Sequence, residues 1–140
     1  FYRQSTRRHT VNSEFDVTSL TQLPKVSIVY SYVDPDVSVI AAAATNGAKG
    51  IVFAGTGNGA LSIGEEAALK EMTTMPAATR PVIVRSSRTG NGRVLPSNEY
   101  DPMGLIPADT LTPQKARILL MLGLTKTTDV KELRRIFSEY

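Results

Sequence analysis

At 140 residues and 15.2 kDa, with 41% hydrophobic and 21% charged residues, the chain has the size and composition of one ordinary globular domain with a real core. Its net charge of +3 comes without a basic run interleaved with aromatics, which argues against nucleic acid, and no apolar stretch approaches the ~20 residues of a membrane span. The absence of cysteine excludes a disulfide framework, a thiolate metal site and a Cys nucleophile, and leaves the redox compartment open.

Residues 1–22 are polar and rich in Thr and Ser, with scattered apolar positions at Val11, Phe15, Val17 and Leu20. They read as an extended arm or linker with room for one strand near its start. The first residues have neither an initiating Met nor an apolar signal core, so the segment reads as the middle of a longer chain. Pro24 ends this pattern, and residues 23–140 read as one α/β domain.

Val26-Ser27-Ile28-Val29-Tyr30 is a β-branched run, hence a strand. Asp34-Pro35-Asp36 reads as a turn and helix start, with Val37, Ile40, Ala41 and Ala44 on one face and Asn46-Gly47 as the stop. Gly50-Ile51-Val52-Phe53-Ala54 is apolar on both faces, as a parallel strand between two helix layers requires. Ser62 and Glu65 have capping-box spacing and open a helix that carries Leu69 and Met72 and ends before Pro76.

Pro81–Arg85 is the third strand, followed by a Gly-rich irregular stretch over 89–103 and a short apolar piece at Leu105-Ile106. Thr112-Pro113 opens a helix dense in Ile118, Leu119, Met121, Leu122 and Leu124. Thr128 or Asp129 caps a last helix with Val130, Leu133, Ile136 and Phe137 on one face. The order predicts a small, doubly wound parallel sheet of about four strands flanked by helices. Ligands in such sheets sit at the carboxyl ends of strands, which here carry Tyr30-Ser31-Tyr32, the 55–61 loop and the 85–92 loop.

Three motifs lie on that edge. Gly55-Thr56-Gly57-Asn58-Gly59-Ala60 satisfies a relaxed dinucleotide fingerprint, but it follows the second strand, and the acid expected about 20 residues on is missing. A tight turn with positive φ is the stronger reading. Arg85-Ser86-Ser87-Arg88 could grip a phosphate or carboxylate, although such residues more often serve structure. Glu99 stands in a Pro/Asn/Gly-rich loop where a carboxylate usually faces water. His9 is the only histidine, so neither a Ser-His-Asp triad nor a His-rich metal site can be assembled.

Several stretches together carry a family resemblance. Arg8-His9-Thr10 with Glu14-Phe15-Asp16-Val17, Leu23-Pro24-Lys25-Val26 with Tyr30, Ala54–Gly59, Arg85–Gly92, Leu111–Arg117 and the ending Ile136–Tyr140 occur in one order and spacing over the whole chain. In this the sequence resembles the C-terminal portion of bacterial type II L-asparaginases, with residues 1–22 similar to their interdomain segment. The ending and the Arg-Thr-Gly-Asn-Gly third loop resemble the secreted branch that includes glutaminase-asparaginases, which implies a periplasmic or secreted protein.

That resemblance implies hydrolysis of asparagine, and to a lesser degree glutamine, by an N-terminal-domain Thr nucleophile with a second Thr and an Asp–Lys pair. The Thr signatures of that machinery occur nowhere in these residues. The family implies a homotetramer whose active sites lie between the N-terminal domain of one subunit and the C-terminal domain of its neighbour. The C-terminal domain lends a carboxylate for the substrate's α-amino group, which by loop position is Glu99, five residues after Val94. Asn58 belongs to the Gly-Asn-Gly loop of the same site. Ala60 stands where the family usually has Asn or Ser, and a methyl cannot hydrogen-bond. The other reading of the chain is a non-catalytic α/β interaction or ligand-binding module.

Overall fold

The computed structural model describes residues 7–140. It contains β1 (Val26–Tyr30), α1 (Ser38–Thr45), β2 (Gly50–Gly55), α2 (Ile63–Thr73), β3 (Val82–Ser87), β4 (Ile106–Pro107), α3 (Pro113–Leu124) and α4 (Val130–Glu139). All neighbouring strands pair in parallel in the order β1-β2-β3-β4, so every strand ends on the same edge. The expected α/β sandwich is present, with helices on both faces and strands following chain order.

The pleat sorts the core into two layers. Ile51, Phe53 and Ile83 point to one face and pack with Val29, Ile40, Leu69 and Met72, burying α1 and α2. Val26, Val52, Val82 and Val84 point to the other and meet Ala116, Leu119, Leu120, Leu133, Ile136 and Phe137 of α3 and α4. Every residue of β2 and β3 is buried, as the continuous apolar runs require. At Gly50 the sheet admits α3 unusually closely, because a Cβ there would lie 2.6 Å from Leu120 Cδ2.

Several local expectations are refined. β3 begins at Val82, not Pro81, and extends to Ser87, since its last residues pair with Ala54 and Gly55. α1 begins at Ser38, whose N–H bonds to the Asp36 carboxylate at 2.9 Å; Asp34 takes φ 52° and keeps the turn out of the helix. Its buried side carries Ile40, Ala43 and Ala44, leaving Val37 and Ala41 exposed. Ile118 is likewise half exposed on α3. Ser62 and Glu65 form the full capping box, and Asp129 caps α4 by accepting from Lys131 N and Glu132 N. The strand expected near the start of the arm falls partly outside the described residues; within 7–22 there is only a 3-10 turn, Thr10–Asn12.

The described arm is fastened to α4. Arg8 N–H donates to Glu139 O at 2.7 Å, and Glu14 N–H donates to the Tyr140 hydroxyl at 2.6 Å. The Glu14 carboxylate takes both its oxygens to Arg135 Nη2 at 3.0 Å and also meets Arg8, while Phe15 packs on the Tyr140 ring at 5.1 Å between centroids. Arg135 further holds Glu132 and Glu139, and Asp109 is paired with Arg7 and Arg93.

Hydrogen bonding from Arg135 holds the Glu132 and Glu139 carboxyls below their ordinary value, with Arg8 adding to the effect at Glu139. Burial pushes Asp109 upward, but the Arg93 hydrogen bond and the Arg7 and Arg93 charges outweigh it, so its carboxyl is also held low. A carboxyl depressed in the folded state stabilises fully above its unfolded value and loses that contribution as pH falls through the folded one. Thermal midpoints should therefore be level from neutrality to about pH 5 and decline below about pH 4. Arg135→Ala should lower the neutral midpoint and flatten the acid decline, as followed by circular dichroism; an unchanged acid slope would remove the network from the explanation.

Candidate functional site

The C-terminal edge of the sheet brings three loops together. After β2 the chain makes a turn of three residues, Gly57-Asn58-Gly59, closed by reciprocal bonds between Thr56 and Ala60 of 3.0 and 2.8 Å. Gly57 and Gly59 take positive φ, as a tight turn demands. A Cβ at Gly55 would lie 2.5 Å from the Ala60 carbonyl oxygen, so the turn folds back directly onto the strand end. Nothing in this geometry calls for a pyrophosphate.

Arg85, at the level of Phe53 in β3, joins the turn to the next loop. Only 1% of it is exposed. Its Nη1 donates to Asn58 O at 3.1 Å and Gly59 O at 3.3 Å, and its Nη2 donates to Leu95 O at 2.9 Å. The guanidinium lies over the Tyr100 ring, 4.4 Å from its centroid. Burial lowers the Arg85 pKa, while the charges of Tyr100, Asp101 and Glu99 oppose that shift. The arginine is thus consumed by protein carbonyls and an aromatic face, and the structural reading of the Arg-Ser-Ser-Arg motif holds for it. Arg88, by contrast, is exposed.

Asn58 adds a second tie. Its side-chain oxygen accepts the Leu95 N–H at 2.7 Å, closing a ring between turn and loop. Tyr100 is buried and donates its hydroxyl to Glu66 Oε1 at 2.6 Å. Burial, with that bond, pushes its phenol up to about 12, so it remains a donor throughout the ordinary pH range. Glu65, next to Glu66 in sequence and almost fully buried, accepts from Ser31 Oγ at 2.7 Å and Ser62 N at 2.8 Å, anchoring the start of α2 to the end of β1.

Glu99 sits between these anchors. Its N–H donates to Ser97 Oγ at 3.2 Å, and its neighbour Tyr100 is locked beneath. Its carboxylate is exposed and makes no hydrogen bond or ion pair among the described residues. Ala60 is also exposed, so a larger side chain there would meet solvent, not the core. Sequence reading singled out Asn58, Ala60 and Glu99 but missed Tyr100 and the clamp by Arg85. The available signal was an arginine inside a strand run, which burial on both faces forces to find polar partners within the protein.

Residues 25–137 match the family described as Glutaminase/Asparaginase C-terminal domain. The chain belongs to that family. It is 44% identical to L-asparaginase 2 of Bacillus subtilis, covering all of this chain and 36% of that protein. It is 41% identical to the glutaminase-asparaginase of Pseudomonas fluorescens biotype A, again over the whole chain and 38% of the relative. Among solved structures, the probable cytoplasmic L-asparaginase of Campylobacter jejuni matches with a TM-score of 0.89 and 43% identity, over all of this chain and 45% of that one. This asparaginase C-terminal domain therefore spans less than half the length of the relatives it matches, and the fold expected from the resemblance is the fold found.

Proposed function

We propose that this chain is the C-terminal part of an L-asparaginase, an amidohydrolase that converts asparagine to aspartate and ammonia with some action on glutamine. Residues 1–22 lead in from the N-terminal domain, and residues 23–140 form the domain that completes the active site of a neighbouring subunit in a homotetramer. The exposed, unpaired carboxylate of Glu99, held on a loop fixed to the Gly-Asn-Gly turn, carries this reading. A carboxylate that only accepts hydrogen bonds is the group to hold an α-ammonium, and such charge-assisted pairs are the strong kind.

Two further features support it. Val33 is 92% and Ile63 88% exposed near the strand ends, so apolar surface borders the edge where a second domain would seat. The chemistry itself, nucleophilic attack by Thr and proton transfer by the Asp–Lys pair, belongs to the N-terminal domain and needs no cofactor. Export to the periplasm or medium is part of the proposal and rests on the form of the third loop and the ending 136–140, while the Campylobacter jejuni relative is named a probable cytoplasmic enzyme.

The isolated chain should release no ammonia from asparagine above a heat-killed control. Turnover by material free of full-length enzyme would overturn the division of labour.

In the full-length enzyme, Glu99→Ala should weaken asparagine binding far more than kcat. Removing a charged partner from a partly desolvated site costs about 2–4 kcal/mol, a rise in KM of roughly 30- to 1,000-fold. An unchanged KM would make Glu99 a solvated loop residue.

Ala60→Ser, also in the full-length enzyme, should leave the melting temperature unchanged because the position is exposed. If the side chain reaches the substrate, one new neutral hydrogen bond is worth about 0.5–1.5 kcal/mol, a change of roughly two- to tenfold in kcat/KM. The effect should differ between asparagine and glutamine. A constant ratio of the two would end the functional reading of this position.

A further inference from the structure

Two charged side chains lie fully buried at the sheet's C-terminal edge, Glu65 and Arg85. Glu65 spends one carboxylate oxygen, Oε2, on the capping box and the bond to Ser31, and so serves the start of α2. Among the described residues Arg85 has no carboxylate as an ion-pair partner. Its hydrogen bonds run only to main-chain carbonyls, and those carbonyls come from two different loops.

A planar fork is what this arrangement uses. One terminal nitrogen reaches the turn at Asn58 and Gly59, and the other reaches Leu95 in the following loop. Lysine, with a single ammonium, could not hold both sides at these distances. Above the guanidinium lies Tyr100, whose ring position is fixed at one side by the cation and at its hydroxyl by Glu66. Glu99 is the residue immediately before Tyr100, and its own N–H is held by Ser97 Oγ. Its main chain is therefore pinned on both sides, while its carboxylate stays free.

We propose that Arg85 is the positioning residue for Glu99, clamping the Gly-Asn-Gly turn to the 93–100 loop and fixing, through Tyr100, where the Glu99 carboxylate stands. This rests on the reading of Glu99 as the holder of the substrate's α-ammonium. The clamp acts at a distance from the substrate, and a displacement of about 1 Å in a binding group is enough to lose much of its contribution.

The electrostatics agree with the geometry. The Glu99 charge favours the buried Arg85 cation and works against the burial that lowers its pKa, so the two groups stand within electrostatic reach of each other.

The test is a double-mutant cycle in the full-length enzyme with Arg85→Lys, Glu99→Ala and both. Asparagine turnover is measured together with inhibition by succinamate, which is asparagine without its amino group. KM and Ki do not depend on what fraction of the preparation is folded, so they read positioning and not yield. Arg85→Lys should raise KM for asparagine about tenfold or more while kcat stays within about threefold. It should leave the Ki of succinamate unchanged and add nothing to KM in the Glu99→Ala background.

The same factor in both backgrounds, or a parallel rise in the succinamate Ki, would show that Arg85 merely supports the fold. If Arg85→Lys gives no folded enzyme, Tyr100→Leu takes its place in the same cycle, with the same outcomes expected. An unchanged KM in Glu99→Ala alone would remove the carboxylate reading and this proposal with it. Additivity alongside an intact Glu99 effect would remove only the role of Arg85.

Discussion

A guanidinium taken wholly out of water needs protein partners for its donors, and at Arg85 carbonyls serve the two terminal nitrogens while Nε, buried with them, has no hydrogen-bond partner among the described residues. Carbonyl oxygens carry only partial charge, so this shell compensates the cation less than a carboxylate would. The aromatic face of Tyr100 and the acids at Glu99 and Asp101 offset part of the burial at longer range, and the Arg85 pKa remains below its ordinary value. The consequence is a loop cluster joined by a side chain rising from the sheet, with the Asn58–Leu95 bond as its second tie. Each loop has some order of its own, the turn through its Thr56–Ala60 bonds and the next loop through buried Val94 and Tyr100, and the clamp sets one against the other.

The sheet makes this possible by its direction. Parallel strands deliver all their carboxyl ends to one edge, so the turn after β2 and the loop after β3 are neighbours before any side chain acts. Ser31 follows β1 on the same edge and reaches Glu65 at the head of α2, which ties the remaining corner. The molecule thus has one polar, tightly bonded rim above two dry layers. The arm, fastened to α4 by Glu14, Arg135 and Tyr140, comes in against the α3/α4 layer, where Phe15 joins the edge of the core.

How far the sequence could be read depended on whether a feature was local. The two long buried strands, the Ser62–Glu65 box and the Asp129 cap are written in residues close to one another, and each stands where expected within one or two positions. The start of α1 was misjudged because the Asp36 side chain accepts the Ser38 N–H in a local turn before the helix, which moves the first helical residue past the acids. The exposed sides of Val37 and Ile118 were misjudged because apolar character does not say which neighbour is missing. Tyr100 was invisible because its partners, Arg85 and Glu66, lie fifteen and thirty-four residues away and meet it only in the folded chain. Asn58, Ala60 and Glu99 were singled out through likeness to a family, since nothing in their immediate sequence distinguishes them from ordinary loop residues.

Gly50 carries a different kind of lesson. The helix above it sits so near the sheet that one added methyl group would overlap the Leu120 side chain. Glycine at 50 and leucine at 120 therefore divide one fixed volume between strand and helix, and Gly123 stands in the same relation to Leu133 across α3 and α4. A larger residue on one side of either pair is tolerated only where its opposite number has shrunk. Across related chains the two members of each pair should drift together, since α3 already stands as close to the sheet as Gly50 allows and as close to α4 as Gly123 allows.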